Sequence, residues 1–485
     1  MEIFKSNKGG EKLRFSGYLY VLHTERREFI RWRCSMSSSF KCRGSLTTDL
    51  NKTVPNVTSQ HNHPADEEYV KVAKTVCEMK QRAKESGSKP VQIFAEAVQT
   101  LENTTRARMP LEDSMKRTLR NQKSKNLPSM PATLQELVIE GDWTMSGGLN
   151  PKRFLLHDNG PNAEERMIIF ATDSSLRFLS QSNEWYFDGN FSLAPPMFLQ
   201  LYVIRIRLRG LLLTAAFSLL QKKSQTMYEN MLRTLLQKCE ERQLYHDPTI
   251  IHVDFEKAVI QSITAVFGEE VNVKGCFYHL AQSTYRKVQE LGLVVMYRED
   301  KNFSKFCGML DGLVFLPLED VHRGINFLRK IVLAAAEDLI TYFDGTYVSG
   351  TYRRIGNEQN GPLRMRNIAP MFPPPLWNVH DSTLEDGDRT NNQTEGWNNR
   401  FSNLVEENHP SVWKIIEKIC LEVAADSTKV EQRNLGVQQK KKKRNVFELM
   451  QTRLKNLCQQ YVDGEKNIEE FLSAISHNIR FRTQE

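Results

Sequence analysis

Residues 184–220 read EWYFDGNFSLAPPMFLQLYVIRIRLRGLLLTAAFSLL, and this stretch decides the fold. Three runs rich in aromatic and β-branched residues, at 184–191, 199–208 and 211–219, have the composition of strands. Their connections are short, so they are expected to pair as antiparallel neighbours. An amphipathic pattern at 224–242 predicts a helix. A short apolar strand at 249–253, a helix at 257–267 and a further strand at 271–276 follow.

Working outward, this order of three strands, helix, strand, helix, strand, and then more helices is that of a ribonuclease H-like fold, a mixed sheet with helices on both faces. From about residue 278 to 364 the pattern is helical and shows no strand. MFPPPLW at 371–377 predicts a rigid extended segment that excludes helix. Helices return from about residue 394.

Two acids sit at the heart of the predicted sheet. Asp188 lies inside an aromatic strand, where a carboxylate is costly to bury unless it is paired or metal-bound. Asp254 ends the apolar run IIHVD at 250–254, and the carboxyl ends of strands are where α/β sheets place their sites. The first and fourth strands of such a sheet are neighbours, so the two acids are expected to face each other and to need a cation between them. Glu395, in NNQTEGWNNRF at 391–401, is the candidate third acid. Thr394 or Asn392 serves as N-cap there, and Trp397 and Phe401, four apart, share one helix face as an anchor. Three such carboxylates suit paired Mg²⁺ or Mn²⁺ in an in-line phosphodiester displacement. Each acid alone has a plainer role: Asp188 in a turn, Asp254 as a helix N-cap, Glu395 at the surface.

FDGNF at 187–191, APPMFLQLY at 194–202, DFEKA at 254–258, GCFYH at 275–279 and NNQTEGW at 391–397 together resemble the Mutator-like element (MULE) transposase domain over about residues 180–405. The resemblance implies that Asp188, Asp254 and Glu395 form its DDE triad and that the helical stretch between His279 and Asn391 is the family's insertion. Asn190 stands where the family often has Thr. Cys276 and His279, spaced C-x2-H, belong to the family pattern, as does Trp397. For the C-x2-H pair both a structural or DNA-positioning role and a metal role stay open.

Toward the amino terminus the character changes. Runs at 13–22, 28–34 and 53–58 read as strands of a sheet too small to hold itself together without a staple. Cys34, Cys42, His61 and His63 form the pattern C-x7-C-x18-H-x-H, two thiolates and two imidazoles suited to tetrahedral Zn²⁺. The other reading makes Cys34 a small buried hydrophobe and HNH at 61–63 a polar loop. FSGYLY at 15–20, RWRC at 31–34, KCR at 41–43 and HNHP at 61–64, in that order, resemble the FLYWCH/WRKY-related zinc fingers over about residues 10–64. The resemblance implies structural zinc and DNA binding through the sheet, with Arg31, Arg33, Lys41 and Arg43 available to phosphates or base edges.

Residues 66–126 read as three short helices, with Lys116, Arg117 and Arg120 on the third. Gly87 and Pro90 divide the first two, and Lys125 follows the third. This suits either a helix-turn-helix-like DNA-binding module or a helical connector. The whole is expected to be an α+β multidomain protein. It comprises a β-rich zinc finger (10–64), the helical module (66–126), a ribonuclease H-like mixed α/β core (180–405) with a helical insertion at about 280–390, and a C-terminal helical region (406–485).

The bulk properties agree. The net charge is +8, and the first 63 residues carry eleven Lys and Arg against five Asp and Glu, so the basic excess concentrates where the finger is. Eight scattered cysteines exclude a disulfide framework. The first residues lack an apolar secretory core, and 211–220 is too short to span a bilayer, so an intracellular protein without a membrane partner is expected. KKKKR at 440–444 suits either a nuclear import signal or a solvated charge cluster. The leading expectation is a nuclear DNA transposase acting on duplex DNA, element terminal repeats and target alike, as a homo-oligomer. A domesticated DNA-binding transcriptional regulator without catalysis is the alternative, and a nuclease acting on RNA–DNA hybrids is a third.

Overall fold

Ser16 and Gly17 both adopt positive φ, 48° and 75°, which is the geometry of a two-residue hairpin turn. The run read as one strand at 13–22 therefore folds back on itself, as β2 (Glu11–Phe15) and β3 (Tyr18–Glu25). The computed structural model describes residues 1–5, 10–86, 88–124, 127–355, 364–385, 392–437 and 445–479. Gly87, Lys125, Asn391 and the basic run at 440–444 lie outside the described residues. The chain divides into two compact units, Met1–Ser129 and Met130–Glu485.

In the first unit six strands form one antiparallel sheet in sequence order. β1 (Glu2–Lys5) precedes the hairpin; β4 (Ile30–Cys34), β5 (Ser45–Thr48) and β6 (Asn56–Ser59) follow it. The third strand expected at 53–58 is thus β6, shifted toward the histidines. Along β4 burial alternates: Ile30, Trp32 and Cys34 point inward, Arg31 and Arg33 outward, the period of a half-buried strand. The inward residues join Leu13, Tyr20 and Leu46 in a small core, and the Trp32 indole donates to Thr48 Oγ1 at 3.0 Å. Helices Glu67–Glu85, Pro90–Gln99 and Glu112–Ser124 follow as expected, with a fourth, short helix at Asn103–Ala107. They pack through Met79, Ala83, Ile93, Met115 and Leu119.

The second unit is built on a seven-stranded mixed sheet. The three expected strands are β9 (Glu184–Asn190), β10 (Gln200–Leu208) and β11 (Leu211–Leu220), antiparallel throughout. β12 (Ile250–Val253) runs parallel to β9, and β13 (Asn272–Gly275) parallel to β12. β7 (Leu155–Asp158) and β8 (Met167–Phe170) extend the edge beyond β11, and the sequence pattern did not reveal them. Trp185, Phe187, Tyr202, Ile204 and Ile206 face one layer, packed against helices Asp173–Ser180, Gln225–Glu240 and Lys257–Phe267. The other face is covered by helices Asn392–Val405 and Val412–Asn434.

A second core lies among helices Phe277–Glu290, Lys301–Asp311, Val321–Lys330 and Glu337–Phe343. The last described helix, Ile468–Ile479, packs against Lys301–Asp311, so the end of the chain completes this helical body. Two expectations fail here. The stretch before residue 364 is not free of strands: β14 (Thr351–Ile355) pairs with β15 (Arg364–Ile368) in an antiparallel hairpin. Pro374–Trp377 forms one helical turn, because prolines at the first helical positions remove only N–H groups that have no partner in any case.

Candidate metal centres

The finger residues converge. The ligand atoms of Cys34, Cys42, His61 and His63 all lie within 4.8 Å of one another. Cys34 Sγ is 3.2 Å from His63 Nε2, and Cys42 Sγ is 3.4 Å from His61 Nδ1. The second ring nitrogen of each histidine is engaged elsewhere: His61 Nε2 with the Tyr20 hydroxyl at 2.8 Å, His63 Nδ1 with the Pro64 carbonyl at 3.0 Å. Such partners orient ligand rings. The Tyr18 ring stacks on His61 at 3.7 Å. The backbone N–H groups of Met36 and Gly44 donate to Cys34 Sγ and Cys42 Sγ. Burial and the nearby Cys42 push the Cys34 thiol up to about 11, against the pull of the Met36 N–H. A cation must therefore displace the thiol proton. Burial, with His63 beside it, lowers the pKa of His61 and favours the neutral imidazole a metal requires.

Gly44 is part of this cradle: a Cβ there would come within 2.5 Å of the His61 ring. Gly44→Ala is expected to release zinc almost as completely as loss of a ligand, read as zinc content of the purified chain. Arg31, Arg33, Lys41 and Arg43 are all exposed. On the basic helix Lys116 is held by Glu112 and Asp113, at 3.1 and 2.8 Å, while Arg117 and Arg120 are exposed.

In the second unit β9 and β12 pair with Ile250 opposite Glu184 and His252 opposite Tyr186. Continuing that register by two residues sets Asp254 opposite Asp188. Both line one cavity of about 30 Å³ with Gly189, Gln200, Tyr202 and Glu256, room for one water or small ion. Burial and the Asp254 charge push the Asp188 carboxyl up to about 6, against a hydrogen bond from Asn398, with Glu395 adding a smaller push. Burial also raises the Glu395 pKa, opposed by His279 and aided by Asp254. Helix Asn392–Val405 thus brings Glu395 into the electrostatic range of both aspartates. That helix begins at Asn392, so Thr394 sits inside its first turn and is not its cap.

His279 joins them. Its Nδ1 forms an ion pair with Asp254 Oδ1 at 2.7 Å, while Glu395 Oε1 is buried without a hydrogen-bond partner. Burial alone would lower the His279 pKa, but Asp254 and Cys276 together hold it up at about 11. Cys276, His279 and Glu395 place their ligand atoms within 4.8 Å of one another. Gln200 Oε1 on the cavity wall and the nearby Glu395 Oε1 are buried acceptors without donors, which fits a divalent cation.

Three residues around this site escaped the sequence reading. Asn398, one helical turn after Glu395, donates to Asp188 Oδ2. Glu422 is fully buried and accepts from Trp397 Nε1 at 2.6 Å and from Arg400. Arg205 lies over the Trp397 ring at 5.2 Å. Burial pulls its pKa down to about 10 against the attraction of Asp426 and Glu422, so it stays charged at neutral pH. Trp397 stacks on Phe401 at 4.8 Å, the expected anchor. Glu422→Ala strips the Trp397 indole and Arg400 of their shared carboxylate and removes one of the charges that attract Arg205. It is expected to destabilise the unit by about 3–5 kcal/mol in a denaturant titration. His252, by contrast, is a structural residue, paired with Glu184 at 3.0 Å and stacked on Tyr186.

Comparison with family models gives two matches: the FLYWCH zinc finger domain over residues 3–63 and the MULE transposase domain over residues 185–283. The chain joins a FLYWCH finger to a MULE transposase domain. No curated protein matches the chain. The FLYWCH match holds all four clustered ligands. The MULE match holds Asp188, Asp254, Cys276 and His279 and ends before Glu395. In this chain helix Asn392–Val405 carries Glu395 back to the MULE strands from more than a hundred residues away.

Proposed function

We propose that the chain is a DNA transposase whose finger binds duplex DNA and whose MULE domain cuts and joins it. The observation that carries this reading is the meeting of Asp188 and Asp254 at one ion-sized cavity, with Glu395 close enough to act on the ionisation of Asp188. The strand order of the sheet supports a ribonuclease H-like core for this chemistry. Asp188, Asp254 and Glu395 would hold Mg²⁺ or Mn²⁺, which when bound activates a water or 3′-hydroxyl and stabilises the leaving oxygen. The protein's share is orientation. Asn398 fixes one oxygen of Asp188, and the Glu422–Trp397–Arg400 contacts hold the helix that carries Glu395. Zinc in the finger would position Arg31, Arg33, Lys41 and Arg43 on DNA. The reading includes action in the nucleus, aided by KKKKR at 440–444, and a homo-oligomer that pairs two element ends.

The test is incubation of the full chain with duplex DNA carrying the terminal repeats that flank its coding region, in Mn²⁺. Nicking at the repeat ends and strand transfer, both lost in Glu395→Gln, are expected. Sequence-selective binding without cleavage in either metal would leave a transposase-derived DNA-binding regulator. Preferential cleavage of RNA–DNA hybrids would leave a nuclease.

A further inference from the structure

We propose that Cys276, His279 and Glu395 form a zinc site beside the carboxylate cavity, distinct from the zinc of the finger. Cys276 caps helix Phe277–Glu290, and His279 stands on its first turn. The C-x2-H spacing thus puts thiol and imidazole at one helix end. Glu395 arrives from a different helix, and the three donor atoms lie within 4.8 Å of one another. Cys276 is buried, at 3% exposure, and His279 and Glu395 are partly buried. Glu395 Oε1 is buried without a hydrogen-bond partner, and His279 Nδ1 lies 2.7 Å from Asp254 Oδ1. A simple ion pair between His279 and Asp254 would not explain the orphaned Glu395 oxygen.

The donor set selects the metal. Sulfur, imidazole nitrogen and one carboxylate oxygen match Zn²⁺ and mismatch Mg²⁺, which takes oxygen ligands in octahedra. Bond lengths of about 2.0–2.3 Å put tetrahedral ligands roughly 3.5 Å apart, so donors within 4.8 Å of one another need close by no more than about 1.3 Å. Three protein ligands leave a fourth position for water or for Asp254, whose Oδ1 already stands 2.7 Å from His279 Nδ1. Glu395 is then shared: zinc draws it toward Cys276 and His279 and away from the hard cation. Zinc bound here would therefore lower Mg²⁺-dependent cleavage, a consequence that rests on the transposase reading, whereas the site itself does not.

The test is zinc content of the full chain, loaded with excess Zn²⁺ and freed of unbound metal. About two zinc ions per chain are expected, falling to about one in Cys276→Ser and to about one in Cys34→Ser, since each site needs its own thiolate. A wild-type chain holding only the finger zinc, or a folded Cys276→Ser chain that keeps both ions, would overturn the proposal. Because Cys276 is buried, Glu395→Gln serves as a second probe away from the packed thiol. It must weaken the second zinc at least tenfold in a competition titration, and an unchanged affinity overturns the assignment. Asp188→Asn, outside the ligand set, must keep both ions. Failure of cleavage chemistry and failure of this site are thereby read separately.

Discussion

Asn at position 188 is expected to lower metal-dependent DNA cleavage by about a thousandfold or more while making the chain more stable in the absence of Mg²⁺ and Mn²⁺. The two effects have one origin. Burial and the Asp254 charge push the Asp188 carboxyl from its usual 3.8 up to about 6, so ionisation is paid for in folding free energy. Below about pH 4 the carboxyl is protonated in both folded and unfolded chains and costs nothing. Between about pH 4 and 6 the unfolded chain releases the proton and the folded one keeps it, and stability falls with rising pH. Above about pH 6 the loss is complete, on the order of 3 kcal/mol. Asn cannot ionise, and its amide oxygen can still accept from Asn398. Thermal melts of both chains at pH 4, 5, 6 and 8, with finger zinc retained, should converge at the acid end and diverge at the basic end. A less stable Asp188→Asn chain at pH 8 would mean that the carboxylate already has a compensating partner in the protein. That would remove the electrostatic argument for a cation.

Much of this site was legible because its parts lie on locally patterned elements. The period-two and apolar runs of β9, β10 and β11 fixed the sheet, and an acid inside such a run is conspicuous. Asp254 at a strand end and the C-x7-C-x18-H-x-H spacing are equally local. What stayed hidden is either too short or too long in range. β7 and β8 have four residues each, and MIIF at 167–170 is as good a core helix fragment as a strand. β14 and β15 carry Arg353, Arg354, Arg364 and Arg366 where a strand pattern would show alternating apolar residues. The helical turn Pro374–Trp377 is hidden in the sequence because proline forbids helix interiors but not helix starts. Asn398, Glu422 and Arg205 are polar residues whose roles come from contacts with partners 22 to 210 positions away. Nothing in their immediate neighbours distinguishes them from surface residues. The same holds for the approach of Glu395 to Cys276 and His279, which only the folded helices bring about.

Loss of one finger ligand should have the other large effect, on folding rather than on chemistry. Cys42→Ser is expected to unfold the six-stranded sheet, because its core is small: Leu13, Tyr20, Ile30, Trp32 and Leu46, with Ile3, Phe15 and Tyr18 packed against them. A core of this size falls short of the chain entropy it must offset, and zinc supplies folding free energy on the order of 10 kcal/mol in comparable modules. Serine keeps the volume but offers a poor ligand, so the loss reports on the metal and not on packing. The signal is Trp32, the single tryptophan among residues 1–129, whose indole is fully buried and bonded to Thr48. Its emission should shift to the red in Cys42→Ser, and in the unsubstituted chain on chelation, with no such shift when Trp32 is first replaced by Phe. DNA affinity should fall along with it, because Arg31 and Arg33 keep their shared outward face only while Ile30, Trp32 and Cys34 are packed inward. If the emission and the affinity both survive chelation, the small core folds on its own, and the four clustered ligands are not what holds the sheet together.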